Sequence, residues 1–118
     1  TDPDTFVNGK VELEVDGEVK TFDYAALAMS TSIAMENLVV TDVYTTVTNT
    51  DSNGALTLTC EVDGITVTVR TVVLRDENGK TITADAYLGK TINVRGIIDF
   101  FDGVYQIKII TAKDITVQ

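Results

Sequence analysis

Arg70, Arg95, Lys108 and Phe101 are the side chains whose types and positions point most directly to recognition chemistry. Cations projecting from strands that lie side by side would make a small basic stripe, and an aromatic ring at a loop tip can anchor a partner or stack on a planar group. The chain offers far less for catalysis. Histidine is absent, which removes both the general base that works near neutral pH and the commonest transition-metal ligand. Asp76, Glu77 and Asp85 share one polar connection, where carboxylates are ordinarily just solvated. The segments Asp51-Ser52-Asn53-Gly54 and Asp76-Glu77-Asn78-Gly79 each echo part of a calcium loop, without the further carboxylates and closing bidentate Glu that complete one. Both read as turns. The chain is therefore read as non-enzymatic, with no catalytic residue, no metal site and no cofactor. The single cysteine, Cys60, falls on the apolar side of a strand between Leu58 and Val62 and reads as core filler.

The elements that would carry these side chains are mostly hairpins. Six of the eight glycines directly follow Asn or Asp, and such pairs form turns because these residues adopt left-handed backbone angles most cheaply. Asp102-Gly103 predicts a type I′ turn that pairs Phe101 with Val104. That register sets Phe100 against Tyr105, Ile98 against Ile107 and Gly96 against Ile109 on an apolar side, with Asp99–Gln106 and Ile97–Lys108 on a polar one. Asp63-Gly64 does the same for Val62–Ile65, Cys60–Val67 and Leu58–Val69, leaving Thr57, Thr59, Glu61, Thr66, Thr68 and Arg70 on a wet, threonine-rich face. A long β-branched strand, Leu38 to Thr48, precedes this hairpin and ends in a turn at Thr50 to Gly54.

Earlier residues read less sharply. Thr1 to Thr5 looks like a frayed polar start, either trimmed or left by a removed export signal. Val11 to Phe22 suggests a hairpin with a thin apolar face, its three-residue loop setting Val15 against Val19 and Glu14 against Lys20. This hairpin would pack on the main body or pair with another chain through its edge. Asp23 reads as the N-cap of a short helix within the span to Asn37. Near the end, Ala84 to Leu88 suits one helical turn, and Ile115 and Val117 are expected to point inward.

One long strand, a tight hairpin, a connection and a second tight hairpin match the five-stranded Greek-key barrel called the OB-fold. Gly96 inside a strand fits a barrel that bends sharply where backbones approach. The expected fold is thus all-β, an OB-like barrel over 38–118 preceded by a hairpin and short helix over 1–37. The run Tyr87-Leu-Gly-Lys-Thr-Ile-Asn-Val-Arg-Gly-Ile-Ile-Asp-Phe-Phe-Asp-Gly-Val-Tyr-Gln-Ile-Lys-Ile-Ile resembles the last two strands of OB-fold modules in exported, often lipid-anchored, proteins of Gram-negative gut bacteria. The resemblance lies mainly over 87–110 and rests on a Val-x-Gly-Ile strand, a Phe-Asp-Gly turn and Tyr-Gln-Ile. It implies an exported protein at the periplasm or cell surface, with a lipid anchor in many members. It carries no ligand with it, because function does not follow from fold alone.

Composition narrows the partners. A net charge of −9 repels polyanions at long range, and no stretch reaches the roughly 20 apolar residues of a membrane-spanning helix. The reading that results is a non-catalytic binding or structural module, taking a protein or a polar ligand on the threonine-rich face. The alternative is single-stranded nucleic-acid binding through Arg70, Arg95 and Lys108. What separates the two is whether those cations share a groove with Tyr44, Tyr87 or Phe101.

Overall fold

A computed structural model describes residues 2–101 and 103–118, with the backbone alone of Val15. The chain begins with a helical turn rather than a frayed end. Pro3 opens α1 (Pro3–Asn8), where its missing N–H costs nothing, and the Asp2 carboxylate accepts from the Thr5 N–H at 3.2 Å. The helix carries Phe6 into the main core, where it is fully buried. Thr1 lies outside the described residues.

The strands β1 (Lys10–Val15) and β2 (Glu18–Asp23) form a two-stranded sheet of their own. Their register pairs Val15 with Glu18, Glu14 with Val19 and Leu13 with Lys20, which corrects the expected three-residue loop. The cause is the turn itself: Asp16 and Gly17 both have positive φ, 53° and 83°, the requirement of a two-residue type I′ link. Lys10 and Asp23 tie the open end of the hairpin in an ion pair. Asp23 occupies the N-cap position of α2 (Tyr24–Leu27), as expected, but its carboxylate goes to Lys10 and makes no capping hydrogen bond. With extents of 56 × 32 × 21 Å and a radius of gyration of 15.5 Å, the molecule is longer than the roughly 13.5 Å radius of a compact chain this size.

The main sheet contains β3 (Ser32–Thr45), β4 (Leu56–Val62), β5 (Ile65–Thr71), β6 (Thr91–Phe101), β7 (Val104–Ile109) and β8 (Ile115–Val117), in the order β3-β4-β5-β7-β6-β8. Strand β3 also pairs with β6, so the sequence of neighbours returns to the strand it started from. All these contacts are antiparallel except β5–β7, where Arg70 lies beside Lys108 in a parallel ladder. The fold class is all-β, as the alternating pattern predicts. The β4–β5 and β6–β7 registers are those expected: Cys60 with Val67, Leu58 with Val69, Ile98 with Ile107 and Phe101 with Val104. Gly103 has φ +80°, while the Asp102 half of its expected turn lies outside the described residues. The helical turn expected near 84–88 is a 3-10 turn at Ala84–Ala86, and another at Ala112–Asp114 leads into β8.

Two expectations about strand limits need correcting. Strand β3 begins at Ser32, ahead of Leu38, and takes over residues read as helical; Ile33, Met35 and Leu38 all point into the core. It also ends at Thr45, short of Thr48. At the C-terminus Ile115 is buried, whereas Val117 is 41% exposed because β8 is an edge strand paired on one side only.

The core is continuous across both hairpins, from Leu58, Cys60, Val67 and Val69 to Ile98, Ile107 and Ile109. Gly96 is a tight point within it. A Cβ there would meet the Lys108 carbonyl oxygen at 2.4 Å and the Ile107 side chain at 2.7 Å. Gly96→Ala is expected to destabilise the protein by roughly 1–3 kcal/mol in urea unfolding, since a backbone carbonyl cannot step aside like a side-chain tip. Burial pushes the Cys60 thiol from 9.0 up to about 12. Between those values the unfolded chain loses a proton that the folded chain keeps, so stability should hold below pH 9.0 and fall as pH rises towards about 12. A thiol reagent at pH 8 should label Cys60 only at the rate of unfolding, and prompt labelling of the native protein would refute this placement.

Candidate functional site

The polar face of β4 and β5 is a shallow cleft. Across the ladders, Tyr44 stands opposite Thr57, Thr57 opposite Arg70, and Arg70 beside Lys108. Alternation along each strand puts these side chains on the face opposite Leu58, Val69 and Ile107. The β6–β7 tip then folds over one end of this row. Tyr44, Thr57, Thr68, Arg70, Phe101, Val104 and Gln106, with Thr46, line a hollow of about 440 Å³. That volume suits a group the size of one or two amino-acid residues, within the usual range of small-ligand sites.

The Arg70 guanidinium carbon lies 4.0 Å from the centroid of the Phe101 ring. The ring's negative face attracts the cation, and stacking holds the flat guanidinium in one orientation. Phe101 is therefore more than a stray apolar residue at a loop tip, although 51% of it remains exposed. Among the described residues no carboxylate lies within ion-pair distance of Arg70, and none lines the cleft. On the neighbouring apolar side, Phe100 and Tyr105 pack edge to face at 4.9 Å, which braces the hairpin that carries Phe101.

Gln106 corrects the sequence reading. Its position on the polar side predicts a wet residue, yet it is only 3% exposed at the wall of the cleft. Its Nε2 has no hydrogen-bond partner among the described residues. A buried amide donor without a partner loses its hydration and gains nothing in return.

The three expected cations divide. Arg70 shares the cleft with Tyr44 and Phe101, and Lys108 adjoins it in register and lines a second hollow with Arg70, Asp51 and Thr71. Arg95 lies elsewhere, with Glu36, Asn93, Lys113 and Asp114, on the part of β6 that pairs with β3. Tyr87 is buried in the core, and burial raises its hydroxyl pKa. Strands β4 and β5 put no aromatic side chain of their own on the threonine face, and its aromatic neighbours come from other strands. Tyr44, 64% exposed, reaches it from β3, and Phe101 reaches it from the tip of β6. Tyr44 was legible in principle, because Thr45–Leu56 pairing follows once β3 is known to end at Thr45.

The turns that resemble calcium loops have internal uses for their oxygens. Asp76 Oδ1 accepts from the N–H groups of Asn78 and Lys80 at 2.9 and 3.0 Å, and Asn53 Oδ1 accepts from Thr48 at 3.1 Å. These are Asx-type closures of the loops themselves.

The Arg70–Phe101 contact is expected to show a coupling of about 0.5–1 kcal/mol in a double-mutant cycle of Arg70→Met and Phe101→Leu. Additive effects on the urea midpoint would mean that the stacked geometry is not held in solution. Comparison of the chain with protein-family models, with curated proteins and with solved structures finds no match.

Proposed function

We propose that this chain is a non-catalytic binding module of an exported bacterial protein, that its body is a five-stranded Greek-key barrel of the OB type, and that the cleft between Tyr44, Arg70 and Phe101 is where it binds. The barrel reading is supported by the cycle of pairings β3-β4-β5-β7-β6-β3, by the parallel β5–β7 contact and by Gly96 at a point where a Cβ would strike the neighbouring strand. Export rests on the resemblance over 87–110. The observation that carries the binding reading is the cleft itself, where an arginine with no carboxylate partner among the described residues is stacked on an exposed aromatic ring beside a second exposed ring. A fold needs none of these three side chains at the surface.

Single-stranded nucleic acid is the second reading, favoured by Tyr44 and Phe101 as stacking surfaces and by Arg70 beside Lys108 as phosphate partners. Against it stand the net charge of −9 and the position of Arg95 away from the cleft. A screen of short peptides, oligosaccharides and a thymidine oligomer by amide chemical-shift mapping at low salt tests both. Binders are expected to perturb Thr57, Thr68, Arg70 and Phe101, and to be weakened when Tyr44 and Phe101 are changed to Ala. Binders that map to the Arg95 hollow instead would end the cleft reading, and saturable oligomer binding at the cleft would replace the first reading with the second.

A further inference from the structure

Resting on the reading of the cleft as a binding site, we infer that its ligand is the C-terminal residue of a peptide chain with an apolar side chain. Arg70 takes the terminal carboxylate, Tyr44, Phe101 and Val104 hold the side chain, and Gln106 donates to the preceding amide carbonyl. The argument starts from the donors. Among the described residues Arg70 has no ion-pair partner, Gln106 Nε2 has no hydrogen-bond partner, and no acidic side chain lines the cleft. Two donors without a partner among the described residues, one charged and half-buried and one neutral and buried, match a ligand that brings two acceptors of those same kinds.

The guanidinium suits a carboxylate in particular. Its fork donates two parallel N–H···O bonds, and with its face on the Phe101 ring at 4.0 Å it is the edge of the plane that makes them. A phosphate chain would meet the same fork, but it brings a charge at every residue to a protein of net charge −9. A single carboxylate brings one. The remaining walls are aromatic, aliphatic or threonine, and the hollow of about 440 Å³ has room for a side chain and one peptide unit. Gln106 then accounts for the second acceptor. It is 3% exposed with its donor unused, and a rotation that brings Nε2 to a ligand carbonyl ends that isolation. A simple apolar acid would satisfy Arg70 and leave Gln106 as it is.

The test titrates the full ¹⁵N-labelled chain with N-acetyl-phenylalanine, its primary amide, 3-phenylpropionate and a thymidine oligomer, reading cleft amide shifts. N-acetyl-phenylalanine is expected to bind about tenfold more tightly than its amide, the size of one charge-assisted hydrogen-bond pair, and several-fold more tightly than 3-phenylpropionate. Arg70→Gln should abolish the first preference and Gln106→Leu the second. If Arg70→Gln does not give a native spectrum, Arg70→Lys keeps the charge without the fork and should reduce the first preference. Equal binding of acid and amide at the cleft would overturn the carboxylate assignment while leaving the binding site in place. Equal binding of N-acetyl-phenylalanine and 3-phenylpropionate would overturn the peptide assignment alone. An oligomer that outcompetes every acid at the cleft would replace a peptide with nucleic acid. Absence of cleft shifts with all four probes would remove this inference and the binding reading together.

Discussion

Strand β3 has to pair along both of its edges, and the rest of the sheet depends on how it does so. Val39 is the hinge of this arrangement, because its backbone position is shared by Glu61 of β4 and Thr91 of β6. A straight strand could not follow two partners that diverge in this way. β3 bends through register shifts on either side, one between Met35 and Leu38 and one between Val40 and Asp42. Bulges of this kind add local twist and turn a strand out of one sheet plane into another. The first is held by polar groups rather than by packing. Asn37 adopts φ 62°, its N–H reaches Asn93 Oδ1 at 3.0 Å, and Gln118 Nε2 donates to both asparagines at 2.7 and 2.8 Å. The last residue of the chain therefore helps to fix the bend of its longest strand.

That bend determines where the cleft lies. Beyond the second shift, β3 runs with β4 alone and presents Tyr44 on the polar face in line with Thr57 and Arg70. At the other side, the parallel β5–β7 contact places Lys108 and then the β6–β7 tip next to the same row. Gly96 lets β7 come close enough to β6 for this, since the Lys108 carbonyl occupies the space a side chain would need. Tyr44 and Phe101 are distant in sequence and lie beyond opposite ends of the β3–β6 pairing. Their meeting around Arg70 is a consequence of the topology, and no local feature of either segment requires it.

How much of this could be read from residue order follows from how local each cause is. The hairpins β4–β5 and β6–β7 were legible to the residue, because Asp-Gly turns fix register and a one-residue slip would turn Leu58, Cys60, Ile98 and Ile107 out of the core. The β1–β2 hairpin has the same turn chemistry, yet its apolar side is so thin, with Val19 68% exposed, that the pattern argued against the turn. Residues 32–37 were misread as helical because alanine and methionine favour helices, whereas the bulge and a distant asparagine and glutamine decide their state. Phe6 gave no periodic signal at all, being the one buried residue of a six-residue helix. At the site, Arg70 and Phe101 were recognisable by type, but the burial of Gln106 depends on the β6–β7 tip leaning over β5, which is a tertiary fact.

The charge of the whole molecule and the chemistry of the cleft point in opposite directions, and distance decides between them. Acidic residues outnumber basic ones by 18 to 9, so an anion approaching from afar is repelled. At physiological ionic strength, however, exposed charges more than about 8 Å apart are largely screened, while a contact inside a cleft is screened far less. A ligand already at Arg70 therefore responds mainly to Arg70, to the ring beneath it and to the absence of carboxylates among the described lining residues. The same argument limits the length of an anionic ligand. Each further charge would extend beyond the cleft, towards the hollow that Asp51 shares with Lys108 on one side or Asp99, the register partner of Gln106, on the other. On the proposed reading, the cleft takes one negative charge attached to an apolar body in preference to a long chain of charges, whatever the fold around it resembles.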